Sequence, residues 1–333
     1  MADSPRPVRF RDPQIEMAHG AGGKASRRLV EGLLAPLFGG PLLEPLGDAA
    51  HLDVEAGRLA FTTDSFVVNP LRFPGGSIGD LAVNGTVNDL AVSGARPLAL
   101  VVSFVLEAGL PGAVLEAEAR ALADAARRAG VQIVGGDTKV VEHGKADGMY
   151  VTTAGIGRVD PRVRCSPRSV RPGDKVLLSG PIGDHGITIL LARGEIDLEA
   201  EIRSDTRSVL PLVETLIETV AAGLRWMRDP TRGGVATVLN ELARDSGCGI
   251  ALWEERLPIR EAVHGACEIL GLDPLYVANE GKLLAVVAPE AAETALDALG
   301  SVEGGEDAAI IGEVRDEPAR MVVMHTRFGG TRM

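Results

Sequence analysis

Three aspartates stand in or directly after predicted secondary-structure elements and suit the binding of a metal ion. Asp64 ends an apolar strand at residues 59–63, and Asp137 ends a second strand that begins at residue 131. Asp89 lies on the small and apolar face of a predicted helix, where a carboxylate is costly unless it is paired, protonated or bound to a metal. Strand ends hold ligands rigidly, and several carboxylates brought together suit Mg²⁺. The alternative is that these residues are ordinary turn or cap aspartates.

Two further charged residues, Lys139 and Glu280, stand in conspicuous motifs. Lys139 lies two positions after Asp137, and it could contact phosphate or act as a base if its pKa were depressed. Glu280 belongs to an Asn-Glu-Gly-Lys turn at residues 279–282, directly before a predicted strand. A single glutamate in a turn is ordinarily solvated, so its neighbours in the fold must decide its role.

A glycine-rich loop at residues 19–24 leads into an amphipathic helix. Gly20, Gly22 and Gly23 could present backbone N–H groups to a phosphate, as such loops do at helix N-termini. The spacing matches neither the Walker A motif nor the dinucleotide-binding fingerprint. A flexible hinge therefore explains the local sequence equally well.

Composition excludes several classes of function. The chain has 333 residues, enough for two domains or one large domain, and its formal net charge of −12 argues against a nucleic-acid surface. Three cysteines without CxxC spacing predict neither a disulfide framework nor a zinc site, which favours a cytoplasmic protein. The longest apolar run, at residues 98–106, is shorter than the roughly 20 residues that span a bilayer, so no membrane segment is predicted.

The elements that must position the candidate residues alternate between strands and helices, which predicts an α/β fold. A helix begins after the N-cap Ser77, and its 3.6-residue period places Asp80, Asn84 and Asn88 on one stripe. We interpret Asp80 as a solvent-facing residue. The other predicted elements are strands at residues 98–106, 131–139, 149–157, 175–179 and 283–288, and helices at residues 115–129 and 205–221 and from residue 234.

A stretch rich in Arg, Pro and Ser at residues 158–172 predicts a linker between two domains. The predicted division is an N-terminal segment with the glycine-rich loop and a helix at residues 1–40, an ATP-binding and dimerisation domain at residues 41–157, and a C-terminal domain at residues 158–333.

Seven motifs, taken in order, resemble those of the HypE family of hydrogenase maturation factors, and the resemblance covers residues 19–333. The motifs are His19-Gly20-Ala21-Gly22-Gly23, Thr62-Thr63-Asp64-Ser65, Asn88-Asp89-Leu90-Ala91-Val92-Ser93-Gly94-Ala95, Gly136-Asp137-Thr138-Lys139-Val140-Val141, Gly183-Asp184-His185-Gly186, Asp229-Pro230-Thr231-Arg232-Gly233-Gly234 and Asn279-Glu280-Gly281-Lys282. Seven ordered motifs are more specific than any one of them.

The resemblance implies a two-domain PurM-like fold of the α/β (α+β) type. This fold is shared with aminoimidazole ribonucleotide synthetase, selenophosphate synthetase and thiamine-monophosphate kinase. It further implies that the N-terminal domains pair in a homodimer, with ATP near their interface, and that a C-terminal α/β domain follows.

By the same resemblance, individual residues acquire expected roles. Lys139 and Glu280 match the positions that take protons, one from each domain. The positions expected to contact ATP are Gly20, Gly22, Gly23, Asp48, Asp64, Asn88, Asp89, Asp137 and Thr138, of which Asp48, Asp64, Asp89 and Asp137 are also expected to bind Mg²⁺.

The activity that the resemblance implies is an ATP-dependent dehydration. The family's C-terminal cysteine is carbamoylated with the help of a carbamoyltransferase, HypF, and the resulting thiocarboxamide is dehydrated to a thiocyanate. That group supplies the cyanide ligands of [NiFe] hydrogenases through a HypC–HypD scaffold. An amide oxygen leaves poorly, so it must first be phosphorylated, and carboxylate-bound Mg²⁺ suits phosphoryl transfer.

The chain departs from the family pattern at its end, because the family ends in Pro-Arg-Ile-Cys and this sequence ends in Gly-Gly-Thr-Arg-Met. The interpretation is that the sequence is truncated or has lost the modified cysteine. We therefore expect that it binds ATP without completing the cycle on itself. Cys165, Cys248 and Cys267 are internal and cannot be assumed to substitute. The alternatives are a non-catalytic nucleotide-binding scaffold and another ATP-dependent enzyme of the same superfamily.

Overall fold

The computed structural model describes residues 9–19, 25, 28–39, 57–194 and 200–333. The glycine-rich loop with Gly20, Gly22 and Gly23, and the predicted metal ligand Asp48, lie outside the described residues. A π-helical turn at Val30–Leu34 continues as helix α1, Ala35–Phe38, and buries Leu33 and Leu34.

The first domain is built on a four-stranded sheet. Its strands are β1 (Leu59–Phe66), β4 (Ala95–Glu107), β5 (Gln132–Val141) and β6 (Met149–Val159), in the spatial order β1-β6-β4-β5. Strand β6 runs antiparallel to both β1 and β4, whereas β4 and β5 are parallel. A separate two-stranded ribbon is formed by β2 (Arg72–Phe73) and β3 (Gly76–Ser77).

Among the described residues, the first domain contains the helices α2 (Ile78–Val92) and α3 (Gly112–Arg128). Helix α2 begins where predicted, because the Ser77 hydroxyl accepts a hydrogen bond from the Asp80 N–H. The carboxylate of Glu118 from α3, which is buried, accepts the Gly79 N–H and pairs with Arg72. The start of α2 is therefore fixed by its own cap and by α3. The buried side chains of α3 include Leu115, Ala119 and Leu122, at helical spacing.

The second domain is built on a seven-stranded sheet with the spatial order β13-β12-β9-β11-β7-β10-β8. Its neighbouring strands are antiparallel except β9 and β12. The strands are β7 (Lys175–Leu178), β8 (Leu224–Arg228), β9 (Gly249–Trp253), β10 (Leu284–Val287), β11 (Ala309–Arg315), β12 (Val322–His325) and β13 (Thr331–Arg332).

The helices of the second domain are α4 (Asp184–Ala192), α5 (Leu210–Val220), α6 (Gly234–Ser246), α7 (Glu261–Leu270) and α8 (Ala292–Gly300). Helix α6 buries Val235, Val238, Leu239 and Leu242 on one face. Helix α5 is shorter than the predicted helix at residues 205–221, because residues 204–209 lie between the two domains instead.

The structure confirms the predicted α/β class and the order of most elements. The predicted boundary at residues 157 and 158 falls two residues before the end of β6, and the division of the chain stays a proposal. Within the described ranges, no helix has both the length and the apolar character needed to cross a membrane.

Candidate functional site

A cleft of about 990 Å³ lies between the two domains. Its lining includes Asp64 and Asp89 from the first domain and Asp229 and Glu280 from the second. Three arginines also line it, namely Arg193, Arg228 and Arg232, and a guanidinium group is a common ligand of phosphate. The cleft therefore combines carboxylates that can hold a metal ion with cations that can hold an anion.

Asp64 and Asp89 come together because α2 packs on β1. The Thr62 hydroxyl donates a 2.8 Å hydrogen bond to Oδ2 of Asp89, and the Ser65 N–H donates one of 2.8 Å to Oδ1 of Asp64. Burial raises the pKa of Asp89 above its ordinary value, the hydrogen bond from Thr62 opposes this rise, and the charge on Asp64 adds to it. The raised pKa reflects the energetic cost that the sequence predicts for a carboxylate on this face of the helix.

Asp229 and Glu280 bring two more carboxyl groups from the second domain. Asp229 directly follows β8 and is buried. Burial, and then the charge on Asp89, raises the pKa of Asp229 to about 7. Burial also raises the pKa of Glu280 well above its ordinary value, and the charges on Asp205 and Asp229 add to this. Both carboxylates therefore bind a proton more readily than an ordinary carboxylate does.

The donor set of the cleft fits Mg²⁺. This ion is usually bound by one or two carboxylates together with waters and substrate phosphates, and Asp64 and Asp89 supply two carboxylates to the lining of the cleft. Among the described residues, no group of three or more His, Cys, Asp or Glu side chains could hold a metal ion.

The structure places three predicted site residues outside the cleft lining, namely Asp137, Thr138 and Lys139. They belong to β5, which β6 and β4 separate from β1, so three strand spacings or roughly 14 Å divide Asp137 from Asp64. Lys139 is exposed and pairs with Asp137 at 2.9 Å, and this contact lowers the pKa of Asp137. Within one chain, the structure therefore does not place Asp137 in one site with Asp64 and Asp89. It also does not place Lys139 beside Glu280.

Asn88 is buried and faces the second domain. Its Nδ2 donates to the carbonyl oxygens of Arg207 and Glu280, at 3.0 and 3.3 Å, and its Oδ1 accepts the Val209 N–H at 2.8 Å. Asn84, on the same stripe, donates to the Thr206 hydroxyl at 3.2 Å. The polar stripe of α2 is thus a domain contact at Asn84 and Asn88. Asp80, the third member of the stripe, is half-buried and pairs with Arg128 at 3.0 Å, so it is less exposed than predicted.

Sequence reasoning missed two residues that shape the cleft. Asp229 belongs to one of the seven motifs, and its position after a strand is the same signal that selected Asp64. Asp205 carries no such signal, since it lies in no motif and its surroundings come from distant parts of the chain.

Comparison with known proteins identifies both domains. Residues 46–159 match the N-terminal domain of AIR synthase related proteins, and residues 171–324 match the C-terminal domain. Carbamoyl dehydratase HypE of Azotobacter vinelandii is 50% identical over 324 residues, which cover 97% of this chain and 95% of the relative.

Solved structures agree with this relationship. A crystal structure of the hydrogenase maturation protein HypE in complex with ATP is 46% identical, with a TM-score of 0.92 over 95% of this chain and 96% of that one. A HypE–HypF complex contains a chain that is 45% identical, with a TM-score of 0.80 over 92% of this chain and 98% of that one. With both AIR synthase related domains in order and half of its residues shared over nearly its whole length, the chain belongs to the HypE family of hydrogenase maturation proteins.

Proposed function

We propose that this protein is an ATP-dependent carbamoyl dehydratase that converts the S-carboxamide of a C-terminal cysteine into a thiocyanate. The observation that carries the proposal is the cleft itself, in which Asp64 and Asp89 face Asp229 and Glu280. One pair can hold Mg²⁺ and the other can hold protons, and a dehydration driven by phosphoryl transfer requires both functions. The ATP-bound structure of a relative with 46% identity supports ATP as the co-substrate.

The proposed reaction has two stages. The carboxamide oxygen attacks the γ-phosphorus of ATP and ADP leaves; the nitrogen then loses its protons while phosphate departs with the oxygen, which leaves a carbon–nitrogen triple bond. Mg²⁺ held by Asp64 and Asp89 would neutralise the charge of the phosphates. Glu280 would accept a proton from nitrogen, because a carboxylate with a raised pKa is a stronger base than an ordinary one.

We propose that the protein acts as a homodimer. The first sheet has an exposed face on which the side chain of Phe61 is 77% exposed and that of Val101 is 41% exposed, and such apolar patches are common at protein interfaces. Lys139 lies near this face at the far edge of the sheet. We infer that it takes its proton in the cleft of a second copy, with Asp137 and Thr138 beside the nucleotide there.

The proposed partners follow from the relatives. The HypE–HypF complex supports a carbamoyltransferase of the HypF type as the source of the carbamoyl group. A HypC–HypD scaffold would receive the cyanide for the iron of a [NiFe] hydrogenase. A non-catalytic role in the same assembly is the second candidate function.

The test supplies the substrate as a synthetic peptide that ends in S-carbamoylcysteine. With Mg-ATP, mass spectrometry is expected to show that the peptide loses one water molecule while ADP and phosphate form in equal amounts. Asp89→Asn is expected to abolish the reaction. Substrate-stimulated ATP hydrolysis with thiamine phosphate, and none with the peptide, would assign the chain to another activity of the superfamily.

A companion measurement separates catalysis from scaffolding. Binding of HypF is compared between wild type and Asp89→Asn. Loss of ATP binding with HypF binding intact supports a catalytic purpose for the cleft. Loss of HypF binding, together with no conversion of the peptide by the wild type, favours a scaffold role.

A further inference from the structure

Residues 204–209 run between the domains and contact both of them. On the first-domain side, the Ser204 N–H donates to the Pro74 carbonyl oxygen at 2.9 Å, and the Thr206 hydroxyl accepts from Asn84 at 3.2 Å. On the second-domain side, the Ser204 hydroxyl is 2.8 Å from Nδ1 of His185. The segment is therefore held on two sides over its first three residues.

Two glycines allow this close approach. A Cβ atom on Gly75 of the first domain would lie 2.6 Å from the Ser204 carbonyl oxygen. A Cβ atom on Gly281 of the second domain would lie 1.9 Å from the Asp205 carbonyl oxygen. Both distances are far below van der Waals contact, so only glycine fits at either position while the segment keeps its place.

Asp205 joins this segment to the turn that carries Glu280. Its Oδ1 accepts the Glu280 N–H at 3.1 Å, and its Oδ2 accepts the Gly281 N–H at 3.3 Å. The Lys282 ammonium lies 3.2 Å from the same Oδ2, and both of these charged side chains are only 2% exposed. A buried carboxylate must keep its donors, so this one holds three consecutive residues of the turn in a fixed arrangement.

The main chain of Glu280 is thus bound at both of its polar groups. Asp205 accepts from its N–H, and Asn88 donates to its carbonyl oxygen at 3.3 Å. Asn88 also binds residues 207 and 209 of the same segment. Because Asn88 directly precedes Asp89 on α2, these contacts set the position of the Glu280 backbone relative to the metal-binding wall of the cleft.

We propose that Asp205 is a positioning residue, which uses its buried contact with Lys282 and the Glu280 turn to place the Glu280 carboxyl opposite Asp64 and Asp89. The inference rests on the proposed function, in which Glu280 takes a proton from the substrate. Asp205 does not line the cleft, so it acts through the turn and not on the substrate. Acid–base catalysis depends on the placement of the catalytic group, and a misplacement of 1 Å can lower the rate about 100-fold.

The first measurement needs no variant and no turnover. Hydrogen–deuterium exchange of the wild-type protein is expected to show strong protection of the amides of Glu280 and Gly281. If these two amides exchange as fast as those of an exposed loop, the proposal is overturned.

The second measurement uses Asp205→Asn in the full chain. The amide keeps the shape but has one acceptor oxygen for three donors, so we expect kcat to fall about 100-fold while KM for ATP changes less than about 2-fold. Protection of at least one of the two amides should be lost in the same variant. A folded Asp205→Asn protein with wild-type kcat would contradict the proposal.

Two controls separate positioning from stability. The double variant Asp205→Asn with Lys282→Met removes the unpaired buried charge, and we expect it to regain thermal stability without regaining kcat. Recovery of kcat with stability would show that Asp205 acts only on folding. Asp174→Asn changes another buried aspartate, whose contacts are with Arg171 and Arg225, and should leave kcat and the exchange of both amides unchanged.

The outcome also distinguishes this inference from the proposed function. If the wild-type enzyme does not dehydrate the peptide but its protection at Glu280 and Gly281 depends on Asp205, the reaction is wrong and the structural link stands. If dehydration occurs without that dependence, only the positioning role fails.

Discussion

Asn88 and Glu280 belong to different domains, yet Nδ2 of Asn88 donates a 3.3 Å hydrogen bond to the carbonyl oxygen of Glu280. Each residue stands directly beside or within the candidate site, since Asn88 precedes Asp89 and the Glu280 side chain lines the cleft. The side of the cleft with Asp89 is therefore linked to the side with Glu280 by the buried amide of Asn88.

Asn88→Ala is expected to lower the free energy of unfolding by about 3 kcal/mol, because it leaves the Val209 N–H and the carbonyl oxygens of Arg207 and Glu280 without this partner, at about 1 kcal/mol each. Urea denaturation measures the change. Asn240→Ala is the matched control, since that exposed amide makes one bond within its own helix and should cost less than about 0.5 kcal/mol. Equal effects of the two variants would refute the domain link.

Asp89→Asn is expected to remove most of the thermal stabilisation that Mg-ATP gives the protein. A ligand at 100 times its Kd stabilises the native state by about 2.7 kcal/mol, and this gain disappears when binding is lost. Thermal-shift titration measures it. Asp80→Asn serves as control, because Asp80 lies on the same helix and pairs with Arg128 outside the cleft lining, so its titration should match wild type. An unchanged shift for Asp89→Asn would remove the cleft as the nucleotide site.

Asp229 is expected to make stability depend on pH. Its pKa is about 7 in the folded protein against an ordinary value of 3.8, so the folded state holds this proton more tightly than the unfolded state does. The resulting stabilisation is complete below about pH 4, falls as the pH rises to about 7, and amounts to at most about 4 kcal/mol. Because asparagine resembles the protonated acid and does not titrate, the unfolding free energy of wild type should fall relative to that of Asp229→Asn between about pH 4 and about pH 7. A difference that does not vary with pH would show that Asp229 is ionised throughout.

Phe61→Glu is expected to shift the protein towards monomers, because it places a charge on the exposed face of the first sheet. Sedimentation velocity at several concentrations measures the change. Phe328→Glu is the control, since Phe328 is 99% exposed in the second domain and should leave association unchanged. A wild type that stays monomeric at every concentration would exclude the proposed homodimer.

Much of the fold was predictable because the responsible interactions are local. Ser77 caps α2 through a residue three positions away, and the buried face of α3 follows from helical spacing. Asp64 and Asp89 were selected together because the strand and the helix that carry them are close in sequence and pack on each other. The motifs extended this to a family, which the relatives bear out.

The sequence by itself determined the elements, the α/β class and the carboxylates at their ends, since hydrophobic period, caps and turns act over a few residues. Only the tertiary structure decided which carboxylates share a cleft. The strand order β1-β6-β4-β5 moves Asp137 and Lys139 away from Asp64, and domain packing brings in Asp229 and Glu280. Asp205 acquires its partners 75 and more positions along the chain, and Asn88 bonds a residue 121 positions away. Contacts across such distances depend on the packing of whole domains, which no local pattern encodes.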